Sequence, residues 1–394
     1  MIRLTNLLPE WAEIIHNGIK HDEVETYRTI RHIFRSLWTY FTILNGKFES
    51  NIKNENIKSL QKDIEKISRF HKDIFPIILL YHDIGRPFNR EWHTFESAKI
   101  IQKRKLLRNL NFTPMQQDIL SGVVRHHLLP GTIFTGESSY FGAISLYNDK
   151  NLDPIWLSNQ NIDMFFHILM VFTIIDIWGY DYSKIYDHYF SHYSQIRDNL
   201  TSIFGKIDSI ELRDHKNYLY NKLSTLDAFN LKWRVACALR IFQFINTRPY
   251  LTEDFYYAKL YEALNNINQN WEDFSGSLGV EHSQIQFKYA LPIMMVLASG
   301  NFARKPFDPK EKLLPGIFNF WNTCTNMIKI SNEKPESYSN NTHVLWNFVF
   351  NLPRGWFFQS KHVRYILSNK FLTNIEKTKV EFNPEMDCYL VNIT

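Results

Sequence analysis

Cysteine is scarce in this 394-residue chain: Cys237, Cys324 and Cys388 are the three, and no two of them form a C-x-x-C pair. That excludes a disulfide scaffold and a cysteine-built zinc site, and it fits a reducing compartment. The opening stretch MIRLTNLLPEWAEIIHNG lacks the basic segment, apolar run and small-residue cleavage site of a secretory signal, so a cytoplasmic location is expected. A large excess of charge is missing too. The net charge of +5 suits an anionic small substrate but falls short of the concentrated basic charge of a dedicated nucleic-acid binder. The basic run Lys103-Arg104-Lys105 with Arg108 shares a helix with Ile100, Ile101 and Leu107, and reads as its solvated face. No internal repeat, low-complexity tract or strong linker interrupts the chain. The most apolar stretch, Met164 to Tyr180, is near the minimum length for crossing a bilayer but carries His167 and Asp176. A buried core helix is expected there, and no membrane contact.

What the chain does have is apolar and aromatic bulk. Hydrophobic residues make up 44% and aromatic residues 15%, with 31 phenylalanines, which predicts a soluble globular fold with a core of large side chains. Helical periodicity dominates. Val24, Tyr27, Ile30, Phe34, Leu37, Trp38 and Phe41 recur at three- and four-residue steps, predicting an amphipathic helix over about 24–44. GKFESNIKNEN (46–56) reads as a loop and IFPIILLY (74–81) as a buried helix, with Gly85 placed to end it in a left-handed turn. A helix is expected over about 92–110. Thr113 as N-cap, Pro114 at N1 and Gln116 at N3 then open another, expected to run to His127 and stop at Pro130-Gly131. A core helix follows over about 162–178. Beyond about residue 200 the pattern stays helical. KWRVACALRIFQFI (232–245) and QFKYALPIMMVLASG (286–300) are expected as core helices, NEKPESYSNNT (332–342) as a loop, and KVEFNPEMDCYLVNIT at the end as a small β-hairpin.

The chemistry concentrates in the first half. His82-Asp83, in YHDIGRP, places an imidazole and a carboxylate at the end of a buried helix, and the two carboxylate oxygens of Asp83 could serve two cations. Alone, such a pair is usually a capping aspartate beside a core histidine. Here His93 lies at the start of the next helix, His126-His127 end the one after, and Asp176 sits in an otherwise apolar helix, where a carboxylate is costly unless paired or bound to metal. His32 lies off its helix's apolar stripe, in a polar strip with Glu25, Thr29 and Ser36. Either that strip faces solvent, or it lines a site while the stripe packs on the rest of the domain. His21 and His71 are the substitutes.

The order H … HD … H … HH … D resembles the HD-domain phosphohydrolase superfamily over roughly residues 20 to 200. It is carried by His32, by HDIGRP, by His93 in WHTFESA, by VVRHHLLPG and by Asp176 in TIIDIWG. The resemblance favours the site-lining reading of His32. It implies an all-helical bundle over 1–200, and with the helical pattern beyond it the expected fold is mainly α, with a helical C-terminal region over 201–394 of unassigned role. It also implies one or two divalent ions drawn from Mn, Fe, Co, Ni, Zn or Mg. His32, His82, Asp83 and Asp176 would form the first position, and Asp83, His93, His126 and His127 the second. The implied activity is phosphohydrolysis of a nucleotide or related phosphoester by a metal-activated water. Around the metals, Arg86 could grip a phosphate bidentately, Arg125 is a weaker candidate for the same role, and Glu137 could be a general acid or a partner of a ligand. No Gly-Tyr-Pro signature follows HDIGRP, and no nucleotidyltransferase head precedes it. A diiron oxygenase on the same scaffold and a catalytically silent interaction module are the alternatives.

Overall fold

The computed structural model describes residues 8–90, 92–108, 110–135, 140–180 and 187–224, a few isolated positions beyond them, and the strand segments 283–288, 346–351, 380–383 and 388–392. The backbone divides into two units, Met1–Gly131 with Asp149–His215, and Thr132–Asn148 with Lys216–Thr394.

The described part of the first unit is helical, with no strand, and gives the chain its mainly α character. Its helices are α1 Glu10–His21, α2 Glu23–Leu44, α3 Asn54–Phe70, α4 Ile74–Tyr81, α5 His93–Lys103 and α6 Pro114–His126. After α7 Leu129–Thr135 and α8 Ile144–Asn148, the unit resumes with α9 Asn159–Trp178 and α10 Asp187–Phe204. Helix α9 is buried on nearly every side, as its all-round apolar sequence requires: α2, α3, α4, α6 and α10 pack against it. It is long and apolar enough to cross a bilayer by length and composition, but most of it lies inside the protein. Its Ile168, Leu169, Phe172 and Ile175 are fully enclosed, and each stabilises the unit by roughly 1.5–3 kcal/mol. At its N-terminal end the rings of Trp156 and Phe204 meet at a tilt, 4.7 Å apart, with Phe165 and Phe166 closing the cluster. His167, within the apolar run, is held by Asp63 on α3.

Several local expectations are met. Thr113 and Gln116 form the reciprocal capping box at the start of α6, with Pro114 at N1. Others are corrected. Helix α6 stops at His126, and Pro130-Gly131 lies inside α7, where a proline near the first turn costs no hydrogen bond. Helix α5 ends at Lys103, seven residues early, and Lys105 takes a positive φ of 51°. Gly85 is not in a left-handed turn. Among the described residues the glycine with positive φ is Gly46 (66°), which ends α2 as its N–H donates to the Ile43 carbonyl. Gly85 serves close approach instead: a Cβ there would strike the backbone of α5 at Ser97 and Glu96, and its N–H donates to Ser97 Oγ at 2.9 Å.

The largest correction concerns α2. Its polar strip, Glu25, Thr29, His32 and Ser36, faces the interior, whereas Val24, Tyr27, Phe34, Trp38 and Phe41 of the apolar stripe are exposed. Ile30 alone of the stripe is buried, and Ile33, Tyr40 and Ile43 supply the apolar contacts that flank the strip. Tyr40 stacks on Phe75 of α4 at 5.2 Å.

In the second unit, α11 His215–Ser224 is followed by four strands, β1 Ser283–Lys288, β2 Trp346–Asn351, β3 Val380–Asn383 and β4 Cys388–Asn392. They form a sheet in the order β1-β2-β4-β3. The C-terminal hairpin is present as β3 and β4, antiparallel, with Val380 opposite Val391. Strands β1, β2 and β4 run parallel, so residues 286–288, expected in a helix, are strand, and the C-terminal region is not purely helical. The expected helix over 232–245, the remainder of 286–300 and the loop over 332–342 lie outside the described residues, as does Glu137.

Candidate metal centre

Five helices deliver side chains to one buried point in the first unit. His32 comes from α2, His82 and Asp83 from the turn that ends α4, His93 from the first turn of α5, His127 from the residue after α6, and Asp176 from α9. All six are buried. The polar face of α2 turns inward because these partners are there.

Two groups of donor atoms result: His32, His82 and Asp83, and Asp83, His93 and His127. Within each, the atoms lie within 4.8 Å of one another. In the first, His32 Nε2 and His82 Nε2 are 3.3 Å apart, and both meet Asp176 Oδ1, at 2.7 and 3.1 Å. Asp83 Oδ2 stands 3.6 Å from His82 Nε2 and 4.0 Å from His32 Nε2. Its other oxygen, Oδ1, faces the second group, 3.1 Å from His93 Nε2 and 3.9 Å from His127 Nε2. Asp83 thus divides its two oxygens between two histidine clusters.

The imidazoles are aimed by their own backbone. His82, His93 and His127 each meet, through Nδ1, the carbonyl three residues earlier, that of Leu79, Arg90 and Val124, at 3.0, 3.0 and 2.8 Å. Only a protonated Nδ1 can donate there, so in the neutral ring Nε2 carries a lone pair. Lone pairs then point at carboxylate oxygens about 3–4 Å away, acceptor against acceptor, an arrangement that needs a proton or a cation between them. Asp83 Oδ1 is correspondingly buried without a hydrogen-bond donor, although His93 Nε2 is near. Such donors, at such spacing, fit a metal ion: bonds of about 2.1 Å from one centre place tetrahedral ligands about 3.4 Å apart.

The electrostatics agree. Burial opposes charge on Asp83, yet His82, His93 and Arg86 around it hold its carboxyl well below the usual range. Asp176 is likewise held down, against burial, by His32 and His82. His82 gains basicity because Asp83 and Asp176 outweigh its burial. His127 goes the other way: burial, then repulsion from His82 and His93, pushes it down to about 3, which leaves it neutral and ready to ligate.

Arg86 is buried beside this cluster. Its Nε donates to Glu25 Oε1 at 2.8 Å, and its Nη1 to Asp83 Oδ2 and to the Tyr180 hydroxyl, both at 2.9 Å. Nη2 takes part in none of these contacts. The Tyr180 ring stacks on His32 at 4.0 Å and closes the first cluster from the side of α9. Arg125 stands apart, 3.1 Å from Asp149 Oδ2 and over the Phe95 ring. His126 is with it: its Nε2 meets the same Asp149 oxygen at 3.0 Å, and it belongs to neither donor group. His21 is exposed, and half-buried His71 sits against Phe112, with its Nε2 3.2 Å from the Asn111 carbonyl, so neither joins the cluster.

Of the residues in the motif, the structure therefore unites His32, His82, Asp83, His93, His127 and Asp176, and leaves out His126. Sequence reasoning placed Glu25 in the polar strip without a task, and did not reach Tyr180 or Asp149. Tyr180 follows Asp176 by one helical turn, a findable signal; Asp149, in YNDKN, gives none. Comparison with protein-family models, with curated proteins and with solved structures returned no match.

Proposed function

We propose that the chain is a dinuclear metal-dependent phosphohydrolase acting on a nucleotide or a related phosphoester. One observation carries the reading: Asp83 presents one oxygen to His32 and His82 and the other to His93 and His127, the geometry of a carboxylate bridging two cations. Divalent cations held there would supply Lewis acidity toward a phosphoryl oxygen and a water activated at neutral pH. The protein's part is to hold the donors in place. The backbone carbonyls of Leu79, Arg90 and Val124 fix three imidazoles, and α9 sets Asp176 against His32 and His82. Arg86 balances the buried charge of Asp83 and Glu25, which leaves Nη2 as the donor it can offer a phosphate. A bidentate grip would need it to release one of those partners. Mixed imidazole and carboxylate ligation suits Mn, Fe, Co, Ni or Zn, and Mg less well.

The test is turnover. The metal-stripped chain, reloaded with each of these ions in turn, should release phosphate or cleave the ester from at least one member of a panel of nucleoside mono-, di- and triphosphates and cyclic nucleotides. Asp83→Asn should remove that turnover. Absence of cleavage under every ion would refute the hydrolase reading, and oxygen consumption by the iron-loaded chain would put a diiron oxygenase in its place.

A further inference from the structure

The family resemblance implies four protein donors at each position, with His126 and His127 both at the second. We infer that this chain builds the second position from three donors only, Asp83, His93 and His127, and uses His126 to anchor the segment that carries Asp149. The inference rests on the dinuclear reading and departs from the motif that suggested it.

Helical geometry starts the argument. Consecutive residues on an α-helix point about 100° apart, so two adjacent histidines at the end of α6 address different directions. His127 is spoken for: its Nδ1 meets the Val124 carbonyl, and its Nε2 faces Asp83 Oδ1 at 3.9 Å. His126 accordingly turns toward α5 and the segment after α8. Its ring lies edge-on to Phe95, and its Nε2 is 3.0 Å from Asp149 Oδ2. That nitrogen is the atom corresponding to the one the other histidines direct at the centre.

The receiving site is built to keep it. Asp149 is buried, and its carboxylate is already organised: Oδ2 meets His126 in a hydrogen bond and forms an ion pair with Arg125 Nε at 3.1 Å, while Oδ1 accepts from the backbone N–H and the side-chain amide of Asn151, at 3.2 and 2.8 Å. Arg125 is itself fixed over the Phe95 ring, with its guanidinium carbon 4.8 Å from the ring centroid. Drawing His126 toward the metals would strip a donor from a buried carboxylate, a costly exchange.

The consequence is asymmetry. The first position has four donors, His32, His82, Asp83 and Asp176, and the second has three. A cation at the second position keeps at least one more coordination place for water or a substrate oxygen. It should also be the more weakly held of the two.

The experiment counts metals. The full-length chain, stripped with a chelator and titrated with Mn²⁺, is followed by elemental analysis of the protein fraction and by the Mn²⁺ EPR signal, alongside His126→Ala, His126→Gln and His127→Ala. Wild type and both His126 variants should bind two ions. His127→Ala should bind one, with affinity for the second reduced beyond the roughly 10–100-fold effect typical of residues outside the ligand set. His126→Gln keeps a donor for Asp149 and guards against misfolding of the alanine variant. Thermal melts complete the set: the double variant His126→Ala/Asp149→Ala should melt where Asp149→Ala does, because the anchor is already gone. Two ions in wild type but one in His126→Gln would overturn the inference and leave the dinuclear reading standing. Additive melting losses would overturn the anchoring role. Fewer than two ions in wild type would bring down the dinuclear reading, and this inference with it.

Discussion

Gly85→Ala should separate the two halves of the centre. A Cβ at position 85 would lie 2.8 Å from the carbonyl carbon of Glu96, with the backbone nitrogen of Ser97 nearer still. Carbon atoms rest at about 3.5–4.0 Å, so α5 must retreat by roughly 0.7–1.2 Å. The opposing atoms are main chain and cannot swing aside, which puts the penalty at the upper end of the overpacking range, about 3 kcal/mol. For a unit of this size that corresponds to a fall in Tm of about 6–12 °C. The same retreat strains Gly85 N–H to Ser97 Oγ and carries His93, in the first turn of α5, away from Asp83 Oδ1, now 3.1 Å distant. His32, His82 and Asp176 belong to other elements and keep their places. The expected outcome is a folded, less stable protein that retains the first Mn²⁺ and loses the second, read by calorimetry and by metal analysis. A variant that melts within a degree of wild type and binds both ions would refute the close-approach argument for this glycine.

Three further outcomes follow from neighbouring geometry. Gly179→Ala should damage the opposite half: its Cβ would meet Ser36 Oγ and come within 2.8 Å of His32 Nδ1, so metal analysis should find the first position weakened and the second kept. Arg86→Ala removes the nearest cation from the buried carboxylates of Glu25 and Asp83, leaving Arg28 and Arg90 near the first and His82 and His93 near the second, and should cost less than the ~3–5 kcal/mol of a fully unpaired buried charge in a denaturant melt; an unchanged melt would mean that the ion pairs do not exist in solution. The pH dependence has a definite sign. The raised pKa of His82 means that the metal-free chain holds its proton below that value, and this part of its stability disappears as pH rises through it. A cation at the first position must displace that proton, whereas His127, neutral down to about 3, gives up none. Mn²⁺ added near pH 6.5 in weak buffer should therefore release protons as the first position fills, and no release would contradict the assignment.

The legible part of the fold was the part governed by local rules. Thr113, Pro114 and Gln116 mark the start of α6, and the all-round apolar run 162–178 marks a helix that must be enclosed. Helix α2 is found to within a residue at its start, but its hydropathy points the wrong way, and only the resemblance turns the His32 strip toward the site. The strip bearing His32 is polar because of what it meets, the carboxylate of Asp176 and the imidazole of His82, and those meetings span 144 and 50 residues of sequence. Four of the motif's five histidines and both aspartates meet at the centre, so order alone reaches most of it, but not where each side chain points. Two neighbouring histidines look equivalent in a string, and only the three-dimensional turn of α6 shows that one reaches Asp83 and the other Asp149.

Asp83 makes the two halves of the centre interdependent. A single negative charge serves both clusters through one rigid, delocalised group, so filling either position changes what the other feels. On the dinuclear reading, a first cation would draw the carboxylate toward itself and withdraw electron density from the far oxygen, which would weaken the second. It would also remove the competing proton and fix the carboxylate plane, which would strengthen the second. The balance of these effects is a coupling free energy, and it must be the same whichever position fills first. On that reading, an influence that loosens α5 from the turn after α4 would be felt at His32 on α2, through Asp83 and through the His82–His127 ring contact.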